Sequence, residues 1–172
     1  MKFRIVSALA LASAMAAVVY AQKVTTDSAP GAPFGTYRTF AWTPGTPSPV
    51  SLTEQAIHAG VNAQLQAKGL TQVDASPDLY VATHVTTQQV PELIANGFGP
   101  WWGYGGGMAT VQTYTKGTLV VDLYDASTKK MVWRGVATDT MSSKPSKNNA
   151  KLDKALAKMF QRYPPGLASA ND

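Results

Sequence analysis

Residues 117–140, GTLVVDLYDASTKKMVWRGVATDT, decide the fold. Residues 119–124 are an aliphatic and β-branched run. Residues 125–130 are polar and turn-forming, and residues 131–138 resume with Val132, Trp133, Val136 and Thr138. Strand, turn, strand is the reading that accommodates every part of this pattern. Branched and aromatic side chains suit a pleated, half-buried surface, and Asp, Ser and Thr favour turns. The acidic residues have structural roles available to them. Asp125 suits the turn, and Asp122 is placed to pair across the hairpin with Arg134, a contact worth roughly 0.2–1 kcal/mol.

Upstream, residues 34–42, FGTYRTFAW, read as a first strand, and 43–50, with three prolines, as a loop. Ser51-Leu-Thr-Glu54 has capping-box spacing, Ile57, Val61 and Leu65 mark one helical face, and Gly69 is a left-handed stop. The spacing predicts a helix over 52–68 and a short strand over 70–73. Pro77-Asp78 then opens a strand over 79–87. Leu79, Val81, Thr83 and Val85 lie on one face, and Tyr80, Ala82, His84 and Thr86 on the other. A long Gly- and Trp-containing segment occupies 90–110, and 111–115 begins a strand that runs on into the hairpin. Downstream, Leu152, Ala155, Leu156, Met159, Phe160 and Tyr163 fall at i, i+3, i+4, i+7, i+8 and i+11. That is an amphipathic helix over 146–162, ended by Pro164-Pro165. Two such helices packed on one face of a mainly antiparallel sheet bury every stripe, so the expected fold class is α+β.

The ends of the chain read differently. Lys2 and Arg4 precede an apolar run over 5–19, shorter than the ~20 residues of a membrane-spanning helix, and Val19-Tyr20-Ala21 suits a signal peptidase. The expectation is a signal peptide over 1–21, cleaved after Ala21, and an exported, periplasmic product. Residues 22–33 read as a flexible leader, 34–165 as one domain, and 166–172 as a tail. The chain has no cysteine, which excludes thiol catalysis and Cys-ligated metals, and Tyr20-Ala21-Gln22 lacks the cysteine a lipoprotein needs.

Loss of Lys2 and Arg4 with the signal lowers the formal net charge from +5 to +3. Much of the remaining positive charge lies on the last helix, where Lys147, Lys151, Lys154, Lys158 and Arg162 lie opposite the apolar stripe. In an exported protein this basic face suits anionic lipid, polysaccharide or an acidic partner before nucleic acid. A plain solvated helix face is the competing reading.

Several motifs together resemble a known family. They are Phe40-Ala41-Trp42, Gln66-Ala67-Lys68-Gly69-Leu70, Pro77-Asp78-Leu79-Tyr80-Val81 leading to His84, the Gly/Trp segment, residues 117–125, Val132-Trp133-Arg134-Gly135, and Tyr163-Pro164-Pro165. In this order and spacing, over about 34–165, the chain resembles the bacterial domain-of-unknown-function family 4136. The resemblance implies an envelope protein of Gram-negative bacteria. Many members carry a lipobox, which this chain lacks. It implies no reaction, cofactor or catalytic residue.

Residues 96–107, NGFGPWWGYGGG, are the first candidate for binding. Phe98, Trp101, Trp102 and Tyr104 on a permissive backbone could stack on sugar rings, enter a membrane interface or grip an extended peptide. They could equally fold back over a sheet end. The segment has no Lys-Ser/Thr and so is no phosphate loop. His58 lies one helical turn after Glu54, but neither it nor His84 sits in a metal-binding spacing. Asp122, Asp125 and Asp139 are explained by strand and turn, and no GxSxG motif occurs. The expected function is a non-enzymatic, cofactor-free binding or scaffold module facing an envelope protein. A glycan or peptidoglycan binder using the aromatic loop is the alternative, and an enzyme is the third reading.

Overall fold

The computed structural model describes residues 22–96 and 108–165, with side chains at all of these except 94–96, 108 and 109. In chain order the elements are β1 (Lys23–Ser28), β2 (Thr39–Trp42), α1 (Ser51–Ala67), β3 (Thr71–Gln72), β4 (Leu79–Asn96), β5 (Met108–Asp125), β6 (Met131–Thr140) and α2 (Pro145–Gln161). The strands form one six-stranded sheet in the order β1-β6-β5-β4-β2-β3. Pairing is antiparallel from β1 through β4, while β2 runs parallel to both β4 and β3. The fold is α+β, with a mostly antiparallel sheet.

One face of the sheet carries both helices. Ile57, Val61 and Leu65 of α1 and Ala155, Leu156, Met159 and Phe160 of α2 are buried against Leu79, Val81, Leu119, Val121, Leu123 and Trp133. Full burial of each large side chain is worth about 1.5–3 kcal/mol, which makes this layer the main source of stability. Close approach is built in. A Cβ on Gly60 would meet Leu156, and a Cβ on Gly135 would meet Met159 and the Trp133 ring. At the end of α1, Gly69 takes φ +85°. Its N–H donates to the Gln66 carbonyl, and the Leu70 N–H donates to the Leu65 carbonyl, a Schellman closure.

Four expectations need correction. The strand expected over 34–42 covers only Thr39–Trp42 and is the second in the chain, because residues 34–36 form a turn in which the Thr36 N–H and hydroxyl both donate to the Pro33 carbonyl. Residues 22–33 are not a flexible leader throughout, because Lys23–Ser28 form β1 along the open edge of β6, with Val24 packed against the core. A polar sequence is recruited there because backbone hydrogen bonding to an existing edge supplies what its own pattern lacks. Ser51 does not cap α1. Val50 is the N-cap without a side-chain bond, and Glu54 accepts instead from the Ser48 N–H at 2.7 Å and contacts His58 at 3.1 Å. Finally, β4 does not stop near Thr87, nor does β5 begin at Val111. The two stay in register from Leu79↔Asp125 to Asn96↔Met108.

Candidate functional site

The helix-free face of the sheet gathers the side chains that the core does not use. On β4 these are Tyr80, Ala82 and His84, on β5 Asp122 and Tyr124, and on β6 Arg134. The register sets Tyr80 beside Tyr124, Ala82 beside Asp122, and Asp122 beside Arg134. Strand alternation thus lines up a row of polar groups across three adjacent strands.

Asp122 is fully buried although it lies on the open face. Its carboxylate is gripped from the side by Arg134, whose Nε lies 2.6 Å from Oδ1 and whose Nη2 lies 2.7 Å from Oδ2. This bidentate pairing is the cross-hairpin contact expected from sequence, and it raises the Arg134 pKa further. The Tyr124 hydroxyl points at Oδ2 from 3.4 Å, and burial followed by the Asp122 charge pushes its pKa up. His84 is fixed from its other side. Its Nδ1 lies 3.0 Å from Thr46 Oγ1, while its Nε2 lies 3.7 Å from Asp122 Oδ2, beyond hydrogen-bond distance.

Thr46, His84 and Asp122 therefore stand in the order hydroxyl, imidazole, carboxylate. Two further contacts involve this set. Arg134 holds both oxygens of Asp122, and the Thr46 N–H, a natural oxyanion donor, is already bonded to the Thr83 carbonyl.

Beside this row lies an open cavity of about 540 Å³, within the range of small-molecule sites. Ala82 is its floor. Tyr80, His84 and Tyr124 form its sides, Thr43 and Pro44 one rim, and Lys129 the other. The rim at Thr43 and Pro44 exists because residues 43–46 run alongside β4. A Cβ on Gly45 would strike the Thr83 carbonyl, so only glycine allows this approach. Lys129 has φ +59°, a left-handed conformation unusual for a lysine, and its ammonium sits 4.5 Å from the centre of the Tyr80 ring. The turn is held by Asp125, whose Oδ1 accepts from the Ser127 hydroxyl, the Thr128 N–H and two further donors, as expected for a turn-shaping aspartate. The cavity lining contains a cation, an imidazole and two phenols, and no carboxylate.

A second cavity, of about 160 Å³, opens between the sheet and the N-terminal ends of the helices. Val50, Ile57, Val85, Leu119, Met141 and Leu152 contribute to its largely apolar lining.

The other residues singled out from sequence are scattered. Phe98, Trp101, Trp102 and Tyr104 lie outside the described residues, as do 1–21 and 166–172. On α2, Lys147, Lys154, Lys158 and Arg162 are exposed, but Lys151 turns to the sheet, where its ammonium bonds Asp139 at 3.0 Å and the Thr140 carbonyl at 2.6 Å. The basic face thus loses one of its five members. His58 stacks on Trp42 at 3.8 Å, away from His84, and no group of three metal-ligating side chains converges among the described residues. Sequence reading passed over Tyr80, Ala82 and Lys129. Alternation along β4 already put Tyr80 and His84 on one face with a small residue between them, and that was the available signal.

Residues 24–165 match the family model of a domain of unknown function, DUF4136. No curated protein matches the chain in sequence. Among solved structures, a PDZ domain protein from Parabacteroides distasonis is similar, with TM-score 0.56 at 17% identity over 84% of this chain and 36% of that one. The likeness is one of fold, and this chain spans about a third of that protein's length. The PelC dodecamer from Paraburkholderia phytofirmans gives TM-score 0.48 at 15% identity, over 81% of this chain and 98% of that one.

Proposed function

The chain belongs to the DUF4136 family, and from that footing we propose that it is an exported, non-enzymatic binding module of the Gram-negative cell envelope. The observation that carries this reading is the open cavity of about 540 Å³ on the helix-free face, beside a polar row whose members already satisfy one another. A charged aspartate locked by an arginine orients and stiffens a surface. Its pairing with Arg134 favours the charged form of the carboxylate, which suits a fixed counter-charge better than a proton donor. The donors of the lining, the Lys129 ammonium and the Tyr80 hydroxyl, suit an anionic or hydroxyl-rich ligand such as an envelope glycan. Export rests on the charge pattern and apolar run of residues 1–21.

The test uses the full chain produced in a Gram-negative host. Intact-mass measurement of the periplasmic fraction should give a protein that begins at Gln22, and recovery of the uncleaved chain from the cytosol would remove the export part of the reading. The purified protein is then sedimented with peptidoglycan sacculi. Retention that falls in the Tyr80→Ala/Lys129→Ala variant, with no soluble fragments released, is the expected result. Equal retention by the variant would place binding elsewhere, and released fragments would mean catalysis.

A further inference from the structure

β4 and β5 are each eighteen residues long, and third strands accompany them only part of the way. On the β5 side, β6 ends at the Lys116↔Thr140 pair, prolonged by one bond from the Met141 N–H to the Thr115 carbonyl. On the β4 side, company ends where the Val85 N–H donates to the Thr46 carbonyl. From Gln89↔Thr115 to Asn96↔Met108, a stretch of roughly 25 Å, the pair forms a ribbon with no third strand among the described residues. Such a two-stranded ribbon is marginal by itself in water.

Its two edges differ. In an antiparallel ladder, alternate residues turn both N–H and C=O to the same side. The carbonyls of Val81 and Thr83 and the N–H of Val85 face outward from β4, so its outward residues continue as Thr87, Gln89, Pro91 and Leu93. Pro91 has no N–H, which interrupts that edge, and Glu92 follows it. These are the usual protections of an open edge. On β5 the outward carbonyl of Thr115 fixes the phase, so Thr113, Val111 and Ala109 each present both a donor and an acceptor. Residues 108–115 carry no charge and no proline, and the ladder shows no bulge there. Leu93 and Val111 stand opposite each other on one face of the ribbon, 69% and 60% exposed.

We propose that this β5 edge pairs with β5 of a second copy of the chain, antiparallel, with Val111 opposite Val111 across a two-fold axis. The strand is complementary to itself. Being uncharged, it brings no like charges together, and the two-fold sets Thr113 opposite Ala109. The apolar side chains form a row, Leu93, Val111, Val111, Leu93, in which each Val111 packs against its counterpart and each Leu93 flanks the Val111 of its own chain. The ribbon becomes a four-stranded sheet, and the isologous contact closes at two copies.

The absence of cysteine from the chain gives a clean test on the full mature protein. Outward residues directly opposite each other lie about 5.5 Å apart at Cα, within disulfide reach. Under mild oxidation Val111→Cys should convert to a covalent dimer, while Ser127→Cys, in the turn at the other end of β5, should remain monomeric. The unmodified chain should sediment as a monomer–dimer equilibrium. Val111→Lys, which sets two ammonium groups face to face, should weaken that equilibrium at least ~tenfold without changing the melting of the monomer. A parent protein that is monomeric at every accessible concentration would overturn the proposal. So would Val111→Cys crosslinking no faster than Ser127→Cys, or crosslinking instead to a different protein.

Discussion

Replacing Arg134 with methionine removes the cation bonded to the Asp122 carboxylate, which has no exposed surface beneath it, and leaves His84 Nε2, 3.7 Å from Oδ2, as the nearest side-chain nitrogen among the described residues. Breaking a buried pair from this side costs about 3–5 kcal/mol, because an uncompensated charge stays behind. The reverse change is milder. The Arg134 side chain is 44% exposed, so in Asp122→Asn its guanidinium regains water, and the loss is that of two charge-assisted hydrogen bonds, about 1–2 kcal/mol after screening. The two ends of one ion pair should therefore differ by roughly 2 kcal/mol in what their removal costs. The double variant removes both charges and should be less destabilised than the sum of the two single changes, with a coupling of about 2 kcal/mol. Urea unfolding at neutral pH, followed by far-UV circular dichroism, measures all three. An Asp122→Asn variant as unstable as Arg134→Met would refute the reasoning, as would strict additivity in the double variant.

Gly45→Ala should detach residues 43–46 from β4 at a cost of about 1–3 kcal/mol, since its Cβ meets the Thr83 carbonyl; faster amide exchange at Thr46 and Val85 is the readout. The Ser127 hydroxyl, then the Thr128 N–H, hold the Asp125 carboxyl well below the usual carboxylate range. The native state thus binds fewer protons than the unfolded one. The resulting stabilisation is complete above about pH 5 and is lost as pH falls through roughly 4 and below, so Asp125→Asn should flatten acid unfolding over that window. The Tyr163 hydroxyl is buried without a hydrogen-bond partner among the described residues, and burial pushes its pKa up. Tyr163→Phe keeps the ring contacts with Trp133 and Phe160 and should raise the melting temperature, reflecting relief of about 1 kcal/mol; a clear fall would mean that the hydroxyl is satisfied in solution.

The cavity shows how a site can be legible in pieces and invisible as a whole. Asp122–Arg134 and the Asp125 turn were readable because each joins residues close in sequence within one hairpin, where alternation fixes which side chains meet. Thr46 and His84 are thirty-eight residues apart and meet only because residues 43–46 follow the edge of β4. Lys129 joins them through a left-handed turn residue that its identity does not announce.

The pattern of the chain by itself determined both helices, the hairpin, the buried stripes and the α+β class. Each element that faces a dry core on one side carries that asymmetry as a 3.6- or 2-residue period. The tertiary structure alone decided the rest. β1 is a strand because β6 offers it an edge, and the outer halves of β4 and β5 stay paired although no buried face imposes alternation on them. Where burial is one-sided, sequence records it. Where order comes from backbone hydrogen bonds between distant segments, side chains carry no trace, because every residue but proline offers the same N–H and C=O.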